Sequence, residues 1–117
     1  MLLFEATHGA DDPERANLAF IRANVAAAAG HDAAVHLVGE AVWMATIEGS
    51  RDVRYGGHPS VAEMADSLRD NGGRILVDAA SAARREISLD GLRAGAELVT
   101  TAEFAALVYD GATTLPG

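Results

Sequence analysis

Short apolar runs separated by capped helical segments limit this chain to very few folds. Leu2 to Ala6 is apolar apart from Glu5 and runs into His8-Gly9, as a strand entering a loop does. His31 to Val38 and Arg74 to Val77 are further runs of strand length, mostly apolar, as strands covered on both faces are. Asp12 followed by Pro13 predicts a helix start, because the carboxylate can cap it and proline at the first helical position loses no hydrogen bond. Leu18, Ile21 and Val25 then recur at helical spacing, and Gly30 stands where a left-handed helix end is expected. Ser60-Val-Ala-Glu63 reads as a capping box for a second helix with the stripe Val61, Met64, Ala65 and Leu68, stopped by Asn71-Gly72-Gly73.

The stretch from Glu48 to Gly57 reads as a polar loop, and Ser88 to Ala94 as a short helix. Glu97 to Val99 reads as a fourth strand, Thr100-Thr-Ala-Glu103 as a second capping box for a helix ending near Asp110, and Ala112 to Leu115 as a fifth strand. Strands that alternate with helices pair in parallel through right-handed crossovers. The expectation is a three-layer α/β/α sandwich: a mainly parallel sheet of about five strands, helices on both faces, and one domain over residues 1–117.

Composition then removes whole classes of chemistry. The chain has no cysteine, which excludes disulfides, thiolate metal sites, persulfides and cysteine nucleophiles. All nine basic residues are arginine, so there is no Schiff-base lysine and no lysine-dependent phosphate site. A net charge of −8 repels phosphate backbones and anionic membranes, and no basic cluster offers a local exception, so neither nucleic acid nor membrane is an expected partner. No apolar run approaches the roughly 20 residues of a membrane span, and the expected location is the cytoplasm. His8, Asp11, His31, His36 and His58 show no ligand-pair spacing, and no metal is expected. The first turn lacks the glycine fingerprint of dinucleotide sites, and no cofactor is expected. Asp11-Asp12 and Asp78 resemble the acidic pocket of phospho-receiver domains, but the lysine that such a pocket relies on is missing.

The segment Arg74-Ile-Leu-Val-Asp78-Ala-Ala-Ser81-Ala-Ala-Arg84-Arg85-Glu86-Ile87 resembles the third strand and following turn of the DsrE/DsrF/TusD-like family. The opening strand running into Ala6-Thr7-His8-Gly9, the Ala-rich first helix, Val35-His-Leu-Val-Gly39-Glu40-Ala-Val42 and Leu92-Arg-Ala-Gly95-Ala96-Glu97-Leu98 extend the resemblance over most of the chain. It implies that Asp78 stands where the family commonly has a persulfide-carrying cysteine, and Ser81 where some members have a second one. It also implies a trimeric or hexameric homo-oligomer, with subunit contacts around Glu40 to Ala45 and Trp43 in particular.

In open parallel sheets, ligands bind beyond the carboxyl ends of the strands. The candidate pocket there comprises His8, Glu40, Asp78, Ser81, Arg84 and Arg85. Asp78 has two readings. It can cap the helix beginning at Ala79, or it can lie in a pocket at the ends of strands 1 and 3 with Arg84 or Arg85 as its charge partner. Three functions follow: a binding or accessory protein of unassigned ligand without persulfide chemistry, a cysteine-independent enzyme acting on a small anion at a subunit-interface pocket, or a structural subunit of a hetero-oligomeric sulfur-relay complex. In the enzyme reading His8 is acid or base and Arg84 holds charge.

Overall fold

Most strands of this chain run almost directly into a residue that caps or turns the next element, and the winding follows from that. The computed structural model describes residues 1–117. Strand β1 (Leu2–Ala6) leads to α1 (Pro13–Ala28), then β2 (Ala33–Leu37) and a 3-10 helical stretch over Gly39–Ala45. After it come α2 (Ile47–Arg51), α3 (Val61–Asp70), β3 (Arg74–Asp78) and α4 (Ala79–Arg84). A 3-10 turn at Leu89–Gly91 then precedes β4 (Ala96–Val99), α5 (Thr101–Tyr109) and β5 (Thr113–Pro116). Asp12 caps α1 by accepting from the Arg15 amide at 3.2 Å, and Gly30 takes the left-handed φ of 90°. The Thr100 capping box is complete, with Thr100 and Glu103 exchanging both hydrogen bonds.

All pairings in the sheet are parallel and the order is β4-β3-β2-β1-β5. From β1 to β4 every new strand is laid on the same side of the last, so right-handed crossovers keep their connections on one face. Only the step from β4 to β5 reverses direction, and it carries α5 across the other face. The layers are therefore unequal. On the first face Phe4, Val35, Leu37, Ile75 and Val77 pack with Phe20 and Leu68 in the main core. On the second, Leu3, Ala34, Leu76 and Val99 are covered by Phe104 and Leu107 of α5.

Three local expectations need correction. The Glu48 to Gly57 stretch is not all loop, because the Thr46 hydroxyl accepts from the Gly49 amide at 3.0 Å and starts α2, whose Ser50 is buried. Val53 is buried too, beneath a surface that is polar in sequence. Ser88 to Ala94 makes only the 3-10 turn at Leu89–Gly91. The capping box at Ser60 is half formed: its hydroxyl accepts from the Glu63 amide, but the Glu63 carboxylate takes that same hydroxyl and Arg54.

His36 is the conspicuous polar residue of the second face. It is 5% exposed and stacks on Phe104, with ring centroids 4.3 Å apart and planes 10° off parallel. Its Nδ1 lies 3.7 Å from a Glu5 carboxylate oxygen, beyond hydrogen-bond distance, and neither ring nitrogen has a partner. Burial holds the imidazole below its ordinary value of 6.5, and the carboxylates of Glu5 and Asp78 offset that only in part. The unfolded chain thus binds this proton more readily than the folded one. Stability should fall as pH drops below about 6.5, the unfolded value, and the loss should level off below the folded one. His36→Phe keeps a stacked ring without the titration. Its melting temperature by circular dichroism should fall less than the parent's between neutral pH and about pH 5; an equal fall would show that His36 contributes nothing to acid sensitivity.

Candidate functional site

Four of the six candidate residues meet where β2 and β3 end. Asp78, the last residue of β3, is the N-cap of α4, and its Oδ2 accepts from the Ser81 amide at 2.9 Å and the Ser81 hydroxyl at 2.6 Å. The same hydroxyl oxygen accepts from the Gly39 amide at 2.9 Å, which ties α4 to the turn that leaves β2. Gly39 has φ 59°, a conformation that favours glycine. Gly9 closes the arrangement from the β1 side. A Cβ on it would stand 2.9 Å from the Glu40 carbonyl oxygen, so only glycine lets the two loops approach this closely.

Arg85 turns away from Asp78. Its Nε and Nη2 donate to Glu40 Oε2 at 3.2 and 3.1 Å, and Nη1 donates to the Ser81 carbonyl at 3.1 Å. Arg84 is exposed and joins no ion pair. The expected pairing of Asp78 with Arg84 or Arg85 is therefore not formed, because amide and hydroxyl donors three residues ahead satisfy the carboxylate locally. The capping reading is the one the geometry shows. Asp78 is placed as a base for Ser81 would be, but Ser81 is 5% exposed and its oxygen already accepts from Gly39. With Asp78 half-buried and Ser81 buried, the pair acts as a clasp that holds α4 to the turn leaving β2.

His8 stands apart from this group. Strand β2 separates β1 from β3, so no pocket spans the ends of strands 1 and 3. His8 is hydrogen-bonded to the Thr7 hydroxyl at 3.0 Å and lines a cavity of about 420 Å³ at the ends of β1 and β5, shared with Glu14, Arg15 and Pro116. Arg84 and Asp78 line no cavity.

A cavity of about 610 Å³ lies beyond Arg85, with Trp43, Ile47, Ile87 and Leu92 as its apolar wall. Its remaining boundary includes three acidic residues, Glu48, Glu86 and Asp90. Trp43 is 37% exposed, whereas Ala41, Val42, Met44 and Ala45 are packed inside the chain's own core. Of the expected contact segment Glu40 to Ala45, mainly Trp43 is thus open to a partner. No three His, Asp or Glu side chains cluster closely enough to hold a metal ion.

Arg93 was not anticipated. It is 9% exposed, donates to the Ser50 hydroxyl, the Ala62 carbonyl and Asp66, and clasps the segment before β4 to α2 and α3. Its partners lie 27 to 43 residues away in sequence, so no local spacing signals them. In the sequence, Trp43 and the apolar Ile87 and Leu92 within a polar stretch are the signs of the large cavity.

The clasp sets an order of mutational costs. Ser81→Ala leaves the half-buried Gly39 amide without its acceptor and should cost about 1–3 kcal/mol. Asp78→Asn keeps a capping acceptor and should stay within about 1 kcal/mol of the parent. Denaturant unfolding of both variants measures this, and a larger loss for Asp78→Asn would show that the carboxylate's charge matters beyond the cap.

A model of the DsrE/DsrF-like family matches residues 2–116. No curated protein matches the sequence. Among solved structures, the ychN protein from E. coli superposes with a TM-score of 0.80 at 18% identity, over 99% of this chain and 97% of that one. A protein of unknown function, MTH1491 from Methanobacterium thermoautotrophicum, superposes with a TM-score of 0.68 at 15% identity and the same coverage of both chains. Identities this low speak for the fold alone. The family match spans nearly every residue, and this chain, cysteine-free throughout, belongs to the DsrE/DsrF-like family.

Proposed function

We propose that this chain is a small cytoplasmic binding or accessory protein that assembles into a trimer or hexamer and carries no sulfur. The observation that carries this reading is the Asp78–Ser81–Gly39 clasp. The resemblance puts the family's carrier cysteine at Asp78, and here both Asp78 and Ser81 are consumed in holding α4 against the β2 turn. Assembly is supported by Trp43 and Ile47, exposed on the wall of one cavity, and by Leu89 in the adjoining turn. The structural-subunit reading rests on the same clasp and differs in whether the chain assembles alone. Action on a small anion has one observation in its favour, the unpaired Arg84, but His8 and Arg84 share no cavity.

Light scattering on the purified protein at micromolar concentration tests the assembly. The mass should be that of a trimer or hexamer, and Trp43→Ala should weaken association by roughly 2 kcal/mol per contact. A monomer would overturn the homo-oligomer. Incubation with a persulfide donor that loads a cysteine-bearing relative should add no sulfane sulfur by intact mass spectrometry, and a stable adduct would defeat the proposal.

A further inference from the structure

We propose that the large cavity beside Trp43 is a binding site for an organic cation, an ammonium group carried on an apolar body. This rests on the reading of the chain as a binding protein and names its ligand class. At about 610 Å³ the cavity lies within the roughly 300–1,000 Å³ of small-molecule sites. Trp43 offers an indole, the side chain best suited to attract a cation, and Ile87 and Leu92 can cover an apolar body.

Charge decides the class. Glu48, Glu86 and Asp90 border the cavity, and none of them joins an ion pair. The single arginine there, Arg85, has its Nε and Nη2 on Glu40 and its Nη1 on the Ser81 carbonyl. An anion entering would meet three carboxylates and a guanidinium already neutralised, whereas a cation would meet an aromatic ring and unpaired acceptors.

Glu86 adds a separate point. It is the one non-glycine residue with positive φ, at 57°, and it closes α4 with two hydrogen bonds, from its own amide to the Ala83 carbonyl and from the Ile87 amide to the Ala82 carbonyl. That helix-ending motif favours glycine at this position. Glycine would serve the backbone better, so the turn itself gives no reason for a carboxylate here. It also supplies a clean test, because Glu86→Gly relieves the backbone while deleting one carboxylate of the site.

Trp43 is the only tryptophan in the chain, so intrinsic fluorescence reads the cavity directly. Titration of the full chain with benzyltrimethylammonium should give a saturable change in emission, and benzoate at the same concentrations should give none. Glu86→Gly should weaken the cation about threefold without loss of thermal stability, and the triple variant Glu48→Gln, Glu86→Gly, Asp90→Asn about tenfold or more. No saturable change with the cation overturns the proposal, as does equal binding by the triple variant. Binding of benzoate in its place also overturns the cation class, while leaving the binding-protein reading standing. A change that follows protein concentration instead of cation concentration reports assembly and likewise defeats the site. The oligomer mass and the persulfide result are independent of this fluorescence, so failure of the ligand class and failure of the underlying reading are told apart.

Discussion

A parallel strand cannot reach its neighbour by a tight turn, and the rest of this molecule depends on that constraint. Every connection has to cross a face of the sheet, and handedness decides which face. Because β1 to β4 are laid down in one direction, α1, α3 and α4 share the first face and build the main core. The single reversal from β4 to β5 leaves α5 alone on the second face. That thin cover explains where the sheet can keep charge. Arg74 and Glu97 pair at 2.9 Å while partly exposed, and Glu5 sits half-buried beside His36. Each guanidinium or carboxylate of the Arg74–Glu97 pair is held in its charged form by the hydrogen bonds of the other. On the first face, under α1 and α3, such groups would be desolvated without relief.

The same winding brings the ends of β2 and β3 together, and oxygen atoms tie the two ends to each other there. A sulfur carrier needs a thiolate that partners can reach. Asp78 and Ser81 put oxygen at this point of the fold, and oxygen forms shorter and stronger hydrogen bonds than sulfur. The carboxylate caps α4, the hydroxyl passes the connection on to Gly39, and the Arg85–Glu40 pair fastens the opposite side of the same turn. These hydrogen bonds, all made inside the chain, hold the turn to α4. What remains open to solvent lies next to it, along the wall from Trp43 to Leu92.

The sequence makes this architecture readable as far as local spacing carries information. The cap at Asp12, the box at Thr100 and the capping reading of Asp78 all join residues three apart, and all three are formed. Strands β1 to β3 are legible because a mostly apolar run of five residues between helices admits little else. What spacing cannot show is which distant residue answers a charge. Arg85 could face Asp78, seven residues back, or Glu40, 45 residues back, and only the placement of β2 beside β3 selects Glu40. Arg93 is a stronger case, since its three partners come from two helices. The α2 segment is illegible in sequence for a related reason: Ser50 and Val53 are buried by contacts made elsewhere in the chain, while their neighbours Arg51 and Asp52 remain in solvent. His8 was grouped with Asp78 because both end strands, and strand order separates them.

Charge is what finally separates the two uses open to the Trp43 wall. Six of the nine arginines are engaged in ion pairs, which leaves most of the seventeen carboxylates with no arginine. Two copies of a chain with net charge −8 repel each other, so any contact between them has to come from short-range burial of apolar groups such as Trp43, Ile47 and Leu89. Added salt screens that repulsion beyond about 8 Å at physiological strength and favours assembly. A cation drawn in by Glu48, Glu86 and Asp90 feels the same screening with the opposite sign, because salt removes part of what attracts it. The two roles respond to ionic strength in opposite directions, and that opposition follows from the composition of the chain before any contact is drawn.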